Sequence, residues 1–205
     1  MNTYTLYDEV ALNEARLSLN KQTVSHSALS GNYTDLRLTA DSNRWYEYYN
    51  GAITHGYIDL KKFNNKPLVI AFYSGKWGDT GLNLLRSLNT IQAEVKANGG
   101  NLLVIIPEGE QHLEQIAWLN SLTLSFYVDE QHALAQQLGL YHELLSGWNN
   151  EAAQKVLLPA IYVTDARRKV TYRHVYHNTG NSFSAGEVIS AVYSSALLVN
   201  KKEFI

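Results

Sequence analysis

The sequence predicts an α/β fold, a three-layer α/β/α sandwich with a central mixed sheet and an N-terminal extension. The first observation is that apolar runs of strand length alternate with stretches of helical periodicity from residue 66 onward. The second is that two strand-like runs near the C-terminal end, 160–164 and 170–176, are separated by a short turn and followed by a helical stretch. Alternating strands and helices favour a parallel sheet, and the late hairpin adds an antiparallel edge.

The first strand and the helix that follows it have the clearest patterns. Leu68–Tyr73 reads LVIAFY, a continuous apolar run that is typical of a strand buried on both faces. After the turn SGKWGDTG, apolar residues at helical spacing predict a helix that ends at Gly99-Gly100, namely Leu82, Leu85, Leu88, Ile91 and Val95.

The later elements follow from the same two patterns. They are a strand, a helix, a short strand and a helix, predicted over 102–106, 109–122, 124–128 and 130–138. Residues 140–157 read as a less regular connection, and Asp165 is expected to make the turn of the hairpin. Ser184 and Glu187 are spaced as a capping box, which predicts a final helix from Ser184 to residue 199.

The N-terminal part of the chain differs from the rest. We interpret residues 1–57 as an extension that packs on one domain formed by residues 58–205, with a strand expected over 33–39. The aromatic run Trp45–Tyr49 has two interpretations. It packs onto the core, which we favour, or it forms a flap that closes over the functional site with its tyrosines.

Composition excludes several classes of function. Lys plus Arg is 17 and Asp plus Glu is 19, so the net charge of −2 gives no general attraction to nucleic acid or to an anionic membrane. The absence of cysteine excludes disulfides, thiolate metal sites and a thiol nucleophile. The N-terminus has no secretory signal, and no run approaches the ~18–20 apolar residues of a membrane span. We expect a cytoplasmic protein with neither nucleic-acid nor membrane partners.

Other candidate motifs fail on their chemistry. Gly75–Gly81 follows a strand, but its lysine precedes the loop instead of ending it, so the Walker pattern is absent. His142–Ser146 nearly matches HExxH, with a serine in place of the second histidine. His174 and His177 are three apart at a strand, where their side chains face opposite sides. We therefore expect no metal and no cofactor, and we interpret the basic turn 167–169 as a solvated tip.

Four segments, in order, resemble the peroxiredoxin-like AhpC/TSA family. Lys66–Trp77 resembles the first strand and active-site approach, where a family subgroup reads FYRGxWCPYC and this chain reads FYSGKWGDTG. Val104–Glu108, Phe126–Leu140 and Leu158–Asp165 resemble the second strand, the FPVLSD…FGL segment and the LPATFVID strand. The resemblance covers residues 58–198 and implies a thioredoxin-like fold.

The chain departs from the resembled family at the active-site residues. Gly78 and Gly81 occupy the positions of the two cysteines, the first of which attacks peroxide in the family. Asp79 stands at the family's proline, where a carboxylate can cap the helix and place a charge near the missing thiolate. Pro159 replaces the arginine of many peroxiredoxins and is more like the cis-proline of thioredoxins, although the isomer stays open. Arg86 is similar to a family position, and we expect it to make a structural ion pair.

These departures speak against peroxidase and disulfide-exchange chemistry. The resemblance then implies a non-catalytic member with a binding or assembly role and, because peroxiredoxins commonly dimerise, a homodimer. One alternative is a partner-dependent or cysteine-independent antioxidant oxidoreductase. The other is a pocket for a small ligand or a peptide lined by Tyr73, Trp77, Asp79, Thr80 and Pro159. Core packing of these aromatic residues is the competing interpretation, and we prefer it.

Overall fold

The computed structural model describes residue 38 and residues 44–54, 63–107, 113–144, 154–176 and 182–200. The strands are β1 Trp45–Tyr49, β2 Ala52–Ile53, β3 Leu68–Phe72, β4 Asn101–Ile106, β5 Ser125–Val128, β6 Tyr141–Leu144, β7 Gln154–Leu157, β8 Ala160–Thr164 and β9 Val170–Val175. The helices are α1 Gly78–Ala97, α2 Leu113–Leu119, α3 Ala133–Gln137 and α4 Ala185–Asn200.

Seven strands form one mixed sheet in the order β2-β1-β5-β4-β3-β8-β9. The central pairs β3–β4 and β4–β5 are parallel, with Val69 opposite Leu102 in the first of them. The pairs β3–β8 and β8–β9 are antiparallel, and Phe72 lies opposite Ala160. The predicted parallel core with an antiparallel hairpin at its edge is therefore confirmed.

The core lies on both faces of the central strands. Every residue of β3 and β8 is buried, which requires cover on both sides of the sheet. Helix α1 adds an apolar stripe, and it packs against α4. Each fully buried large aliphatic side chain of this stripe contributes ~1.5–3 kcal/mol; its buried members are Leu84, Leu85, Leu88, Ile91 and Val95.

The helix boundaries depend on caps that the sequence partly predicts. Helix α1 ends where Gly99 adopts a φ of 80° and the Gly100 N–H donates to the Val95 carbonyl at 3.0 Å. The predicted cap of α4 is confirmed, because Ser184 Oγ accepts from the Glu187 N–H at 3.3 Å. Helix α2 ends at Leu119, earlier than predicted. In the described part of the chain, no helix is long and apolar enough to cross a membrane.

Residues 44–54 pack on the core, as the favoured interpretation of the sequence has it, with Trp45 and Tyr48 buried. Trp45–Tyr49 is strand β1, paired antiparallel with β5, so the alternative, a flap over the functional site, is wrong. The physical reason is aromatic packing: the Trp45 ring lies 5.4 Å from Phe63 and 4.9 Å from Tyr127, between ring centroids. Tyr48 meets Phe126 edge to face. The domain boundary at residue 57 stays a prediction.

The described parts of residues 140–157 are more regular than predicted. Strands β6 and β7 form a separate antiparallel pair, with Tyr141 opposite Leu157 and Leu144 opposite Gln154. The strand expected over 33–39 falls outside the described residues except for Leu38, which is partly buried against the core.

Candidate functional site

The turn between β3 and α1 contains Gly78 and Gly81, the residues that the resemblance aligns with the two cysteines. Ser74 Oγ accepts a hydrogen bond from the Lys76 N–H at 3.3 Å, and the Ser74 carbonyl accepts one from the Trp77 N–H at 3.2 Å. Gly75–Trp77 forms one 3-10 turn, and the Gly78 N–H donates to the Gly75 carbonyl. Hydrogen bonds within the turn therefore pair the N–H groups of Lys76, Trp77 and Gly78 at the start of α1.

Tyr73 and Trp77 form the aromatic base of this turn. Their ring centroids lie 6.1 Å apart at an angle of 83°, an edge-to-face contact. Such a pair contributes ~0.5–1.5 kcal/mol beyond the area that it buries. Only 2% of Tyr73 and 5% of Trp77 is exposed, so both rings belong to the core.

Gly81 sits where a side chain would crowd its neighbours. A Cβ atom on this residue would lie 2.9 Å from Tyr73 Cε2, 3.1 Å from the Ser74 carbonyl oxygen and 3.3 Å from Trp77 Cβ. Carbon atoms in contact prefer separations of ~3.5–4.0 Å. The Tyr73 ring is buried against Trp77 and the serine oxygen is backbone, so neither can move away easily. The second cysteine position of the family is therefore filled by packing in this chain.

Gly78 resists a side chain for a different reason. Its φ of 52° and ψ of −129° lie in a region that is open to glycine and strained for other residues. The space around the position is free, since a Cβ would meet nothing within 4 Å. The obstacle at the first cysteine position is the backbone conformation, whereas at Gly81 it is the neighbouring atoms.

Asp79 and Thr80 occupy the first turn of α1. Asp79 is exposed and Thr80 is partly buried. The prediction that Asp79 caps the helix is wrong. Trp77 occupies the N-cap position of α1, and no side chain makes a capping hydrogen bond at that end of the helix. Asp79 lies two residues inside the helix, where its charge still interacts favourably with the helix dipole.

Pro159 lies beside this turn at the end of the sheet. Because Phe72 is paired with Ala160, Pro159 comes one register step further on, next to Tyr73. Its carbonyl accepts a hydrogen bond from the Tyr176 N–H at 2.9 Å. The peptide bond before Pro159 is trans, like every peptide bond in the described ranges. Tyr73, Trp77 and Pro159 are thus all buried, with Tyr73 in contact with Trp77 and next in register to Pro159, and ligand binding by them stays a prediction.

Among the described residues, Arg86 makes hydrogen bonds to two amides in place of the expected ion pair. Its Nε donates to Asn120 Oδ1 at 2.9 Å, and its Nη1 lies 3.4 Å from Asn83 Oδ1. The exposed side of α1 at this point faces the end of α2, which offers an amide rather than a carboxylate. Arg86 therefore joins two helices and lies outside the turn.

The basic hairpin turn is less exposed than predicted. Asp165 makes the turn as expected, with its Oδ1 accepting from the N–H groups of Arg167 and Lys169 at 2.8 and 2.9 Å. Arg168, however, is partly buried and donates to the carbonyls of Phe63 and Lys66. Burial lowers the pKa of its guanidinium, partly offset by Asp165. The prediction of a solvated tip is wrong for Arg168.

Asp129 has a structural role that the sequence analysis did not identify. It follows β5 and is 5% exposed. Its Oδ1 accepts from the Ala133 N–H at 3.0 Å, and its Oδ2 accepts from Leu134 and Ala135 at 2.9 and 3.2 Å. One carboxylate thus satisfies three amides at the start of α3. An aspartate shortly before a helix is a recognisable capping signal.

The histidines do not form a metal centre in the part of the chain that the structure describes. No group of three His, Cys, Asp or Glu residues there is placed to hold an ion. The His174 ring instead contacts the Tyr176 ring at 4.8 Å between centroids. His177 and the side chains of His142–Ser146 lie outside the described residues.

Three solved structures show what this fold is similar to. The Xanthomonas campestris bacterioferritin comigratory protein, which has alkyl peroxide reduction activity, gives a TM-score of 0.56 at 15% identity over 80% of this chain and 99% of its own. Peroxidoxin BcpB from Mycobacterium tuberculosis gives 0.51 at 15% identity over 67% and 82%. The mitochondrial 2-Cys peroxiredoxin from Plasmodium falciparum gives 0.53 at 14% identity over 77% and 90%. The predicted thioredoxin-like fold is confirmed.

The sequence itself identifies the family. No curated protein matches the chain in sequence. The sequence model of the AhpC/TSA family matches residues 50–173, which is more than half of the chain and includes the turn at Gly78–Gly81. This chain therefore belongs to the AhpC/TSA family.

Proposed function

We propose that this chain is a non-catalytic member of its family that acts through binding or assembly. The observation that carries the proposal is the pair of glycines at the start of α1. Gly78 has a backbone conformation that strains any residue with a Cβ, and Gly81 has no room for one. The turn thus disfavours any side chain at both positions. This is a larger change than the loss of two sulfur atoms alone.

The chemistry of thiol peroxidases leads to the same proposal. In that reaction a thiolate attacks a peroxide oxygen, the O–O bond breaks, and the sulfur is oxidised to sulfenic acid. No residue of the chain is a cysteine, so no atom here can take that step. The carboxylate of Asp79, the charged group of the first turn, is not a two-electron reductant and cannot replace it.

The preserved surroundings support a role other than catalysis. The fold is similar to that of peroxiredoxin structures, and buried aromatic residues fill the base of the turn. A chain that loses its nucleophile and keeps its scaffold retains a surface on which other molecules bind. The same argument covers a protein partner and a small ligand.

Peroxide consumption tests the proposal. The purified chain is incubated with hydrogen peroxide or an alkyl hydroperoxide, with and without dithiothreitol or a reduced thioredoxin system. We expect the rate of the protein-free mixture in every case, whereas a cysteine-containing family member, as positive control, accelerates it.

A saturable rate would contradict the proposal if the turn produced it. The variant Asp79→Asn identifies that source, and Glu94→Gln is the matched control, an exposed carboxylate on the same helix about 22 Å further along its axis. Turnover that Asp79→Asn reduces and Glu94→Gln leaves unchanged would establish an oxidoreductase that needs no cysteine of its own.

A further inference from the structure

A cleft lies at the end of the sheet opposite to the turn at Gly78 and Gly81. It is lined by the C-terminal half of α1, by β1 and by the first residues of β4 and β5, and its volume is about 260 Å³. Because β3, β4 and β5 are parallel, the turn that follows β3 and the starts of β4 and β5 lie at opposite ends of the sheet. The cleft is therefore separate from the turn, and an inference about it goes beyond the proposed function.

Hydrogen bonds hold the walls of this cleft in place. On the α1 side, Asn89 lies one turn before Gln92, and its Oδ1 accepts from the Thr123 N–H at 2.6 Å. On the β1 side, Glu47 lies opposite Ser125 in the register of β1 and β5. Both walls are thus fixed to the start of β5, so the cleft is formed before any ligand arrives, as sites for small molecules usually are.

The cleft has an apolar floor and an exposed aromatic residue beside it. The floor consists of buried residues that also belong to the core, namely Phe63, Leu102 and Leu124. The Phe63 ring is held by a stacked contact with Trp45. Tyr49, at the end of β1, also lines the cleft and is 69% exposed. A tyrosine ring can cover the apolar part of a ligand while its hydroxyl stays in water, so these residues favour a ligand with an apolar part.

The lining of the cleft includes one cation and one anion, which lie on different walls. Lys96 of α1 is exposed, and among the described residues its ammonium group has neither an ion pair nor a hydrogen-bond partner. Gln92 lines the same wall one turn earlier. On the other wall, Glu47 Oε1 accepts from Ser125 Oγ at 2.8 Å. A carboxylate has about four acceptor positions, so this bond orients Glu47 without exhausting it.

We propose that this cleft binds a free α-amino acid with an apolar side chain. The carboxylate of the ligand accepts hydrogen bonds from Lys96 and Gln92 on the α1 wall. Its ammonium group donates to Glu47 on the β1 wall, and its side chain lies on the apolar floor. Hydrogen bonds of this kind, between a charged group and its partner, are stronger than those between neutral groups.

The size and charges of the cleft favour this class of ligand over others. Sites for drug-sized molecules have volumes of ~300–1,000 Å³, so a cleft of about 260 Å³ suits a smaller molecule. A phosphate or a nucleotide would bring several negative charges to a lining with a single lysine and would be repelled by Glu47. A simple carboxylate has no group for Glu47, and a simple amine has none for Lys96. A zwitterion matches both walls, and mismatched charges would exclude the other classes.

Isothermal titration calorimetry of the full chain with L-leucine gives the first test. We expect saturable binding at one site. Two analogues of the same shape remove one charge each: L-leucinamide lacks the carboxylate, and 4-methylpentanoate lacks the ammonium group. Each should bind about tenfold more weakly or worse, because a hydrogen bond to a charged group accounts for a factor of roughly ten or more in affinity.

Two variants and their matched controls assign the binding to the cleft. Lys96→Gln and Glu47→Gln each remove one charge and should each weaken L-leucine binding about tenfold. The glutamine at position 47 can still accept the hydrogen bond from Ser125, so the fold of β1 is kept. The controls Lys169→Gln, in the hairpin turn, and Glu94→Gln, on α1 but outside the cleft, remove the same charges from exposed positions. Both controls should bind like the parent.

Amide chemical shifts measured by NMR during the same titration locate the ligand. We expect the signals of residues 92–96 and 123–125 to move and those of residues 79–81 to stay. No binding at roughly 10 mM L-leucine, beyond the millimolar range of weak sites, would overturn the inference. Equal affinity for either analogue, unchanged affinity in both variants, or shifts confined to residues 79–81 would overturn it as well. None of these results bears on peroxide consumption, which tests the proposed function by itself.

Discussion

Replacing Gly81 by alanine adds one methyl group at the most crowded point of the turn between β3 and α1. The new Cβ would lie 2.9 Å from Tyr73 Cε2 and 3.1 Å from the Ser74 carbonyl oxygen. Overpacking of this kind costs ~1–3 kcal/mol. Alanine inside a helix gains ~0.5–1 kcal/mol over glycine, so the variant should lose ~1 kcal/mol of unfolding free energy, and at most ~2.5 kcal/mol.

Urea and thermal unfolding followed by far-UV circular dichroism measure this loss. For a domain of this size, each kcal/mol lowers Tm by about 2–4 °C. The control is Gly186→Ala in the first turn of α4, where a Cβ would meet only Ser184 Oγ at 4.0 Å. This control should be as stable as the parent or slightly more stable, because alanine favours a helix over glycine.

The reasoning fails if Gly81→Ala is as stable as Gly186→Ala. Such a result would mean that the Tyr73 ring can move aside, and that the turn still has room for the side chain of a cysteine. The Tyr73–Trp77 contact can be followed separately by near-UV circular dichroism, because displacement of either ring changes the aromatic signal.

Three further predictions follow from other parts of the structure. Gly78→Ala should lose ~1–3 kcal/mol by urea unfolding, because its φ of 52° strains a residue with a Cβ although the space is free; equal stability would show that the turn relaxes. Asp129→Asn should lose ~1–3 kcal/mol, because the amide offers one acceptor oxygen where the carboxylate accepts three N–H groups, and amide exchange should accelerate most in α3; unchanged exchange in α3 would contradict the capping role. Burial raises the pKa of Tyr162 to about 12, against a small opposing effect of Arg173. The unfolded chain therefore releases this proton first, near pH 10, so the contribution of Tyr162 to the free energy of unfolding should be constant below pH 10 and fall between pH 10 and 12. Tyr162→Phe should make that fall less steep, and an equally steep fall in the variant would refute the assignment.

The sequence was sufficient for the central elements because their patterns are local. A run such as Leu68–Tyr73 has no polar position that could face solvent, so it can only be a strand covered on both faces. The helical spacing from Leu82 to Val95 is equally direct, and the structure buries every predicted residue of the stripe except Leu82, which is half-buried, while Leu84 is buried in addition. The resemblance of FYSGKWGDTG to the family pattern FYRGxWCPYC also predicted that Gly78 and Gly81 stand where the family has its two cysteines.

The features that were missed depend on residues far apart in sequence. Strand β1 forms because Trp45–Tyr49 pairs with β5, about 80 residues later in the chain. Its aromatic side chains also contact Phe63 and Phe126. The burial of Arg168 depends on two carbonyls more than 100 residues before it. No local pattern contains such pairings.

The candidate site likewise has features that the sequence predicts and features that only the structure shows. Sequence comparison identified which residues replace the cysteines, but it could not show that Gly81 has no space beside Tyr73. It also could not give the φ and ψ of Gly78, which result from the turn that Ser74 closes with Lys76 and Trp77. Glycine at these positions was visible in the sequence, and the reason that glycine suits them required coordinates.

The central claim is that the turn at Gly78 and Gly81 no longer supports thiol chemistry. The most direct test is the initial rate at which the unmodified, purified chain consumes hydrogen peroxide in the presence of a reduced thioredoxin system. The structure predicts a rate equal to that of the protein-free mixture at every peroxide concentration. A rate that saturates with peroxide, scales with protein concentration and falls in the Asp79→Asn variant would contradict the claim.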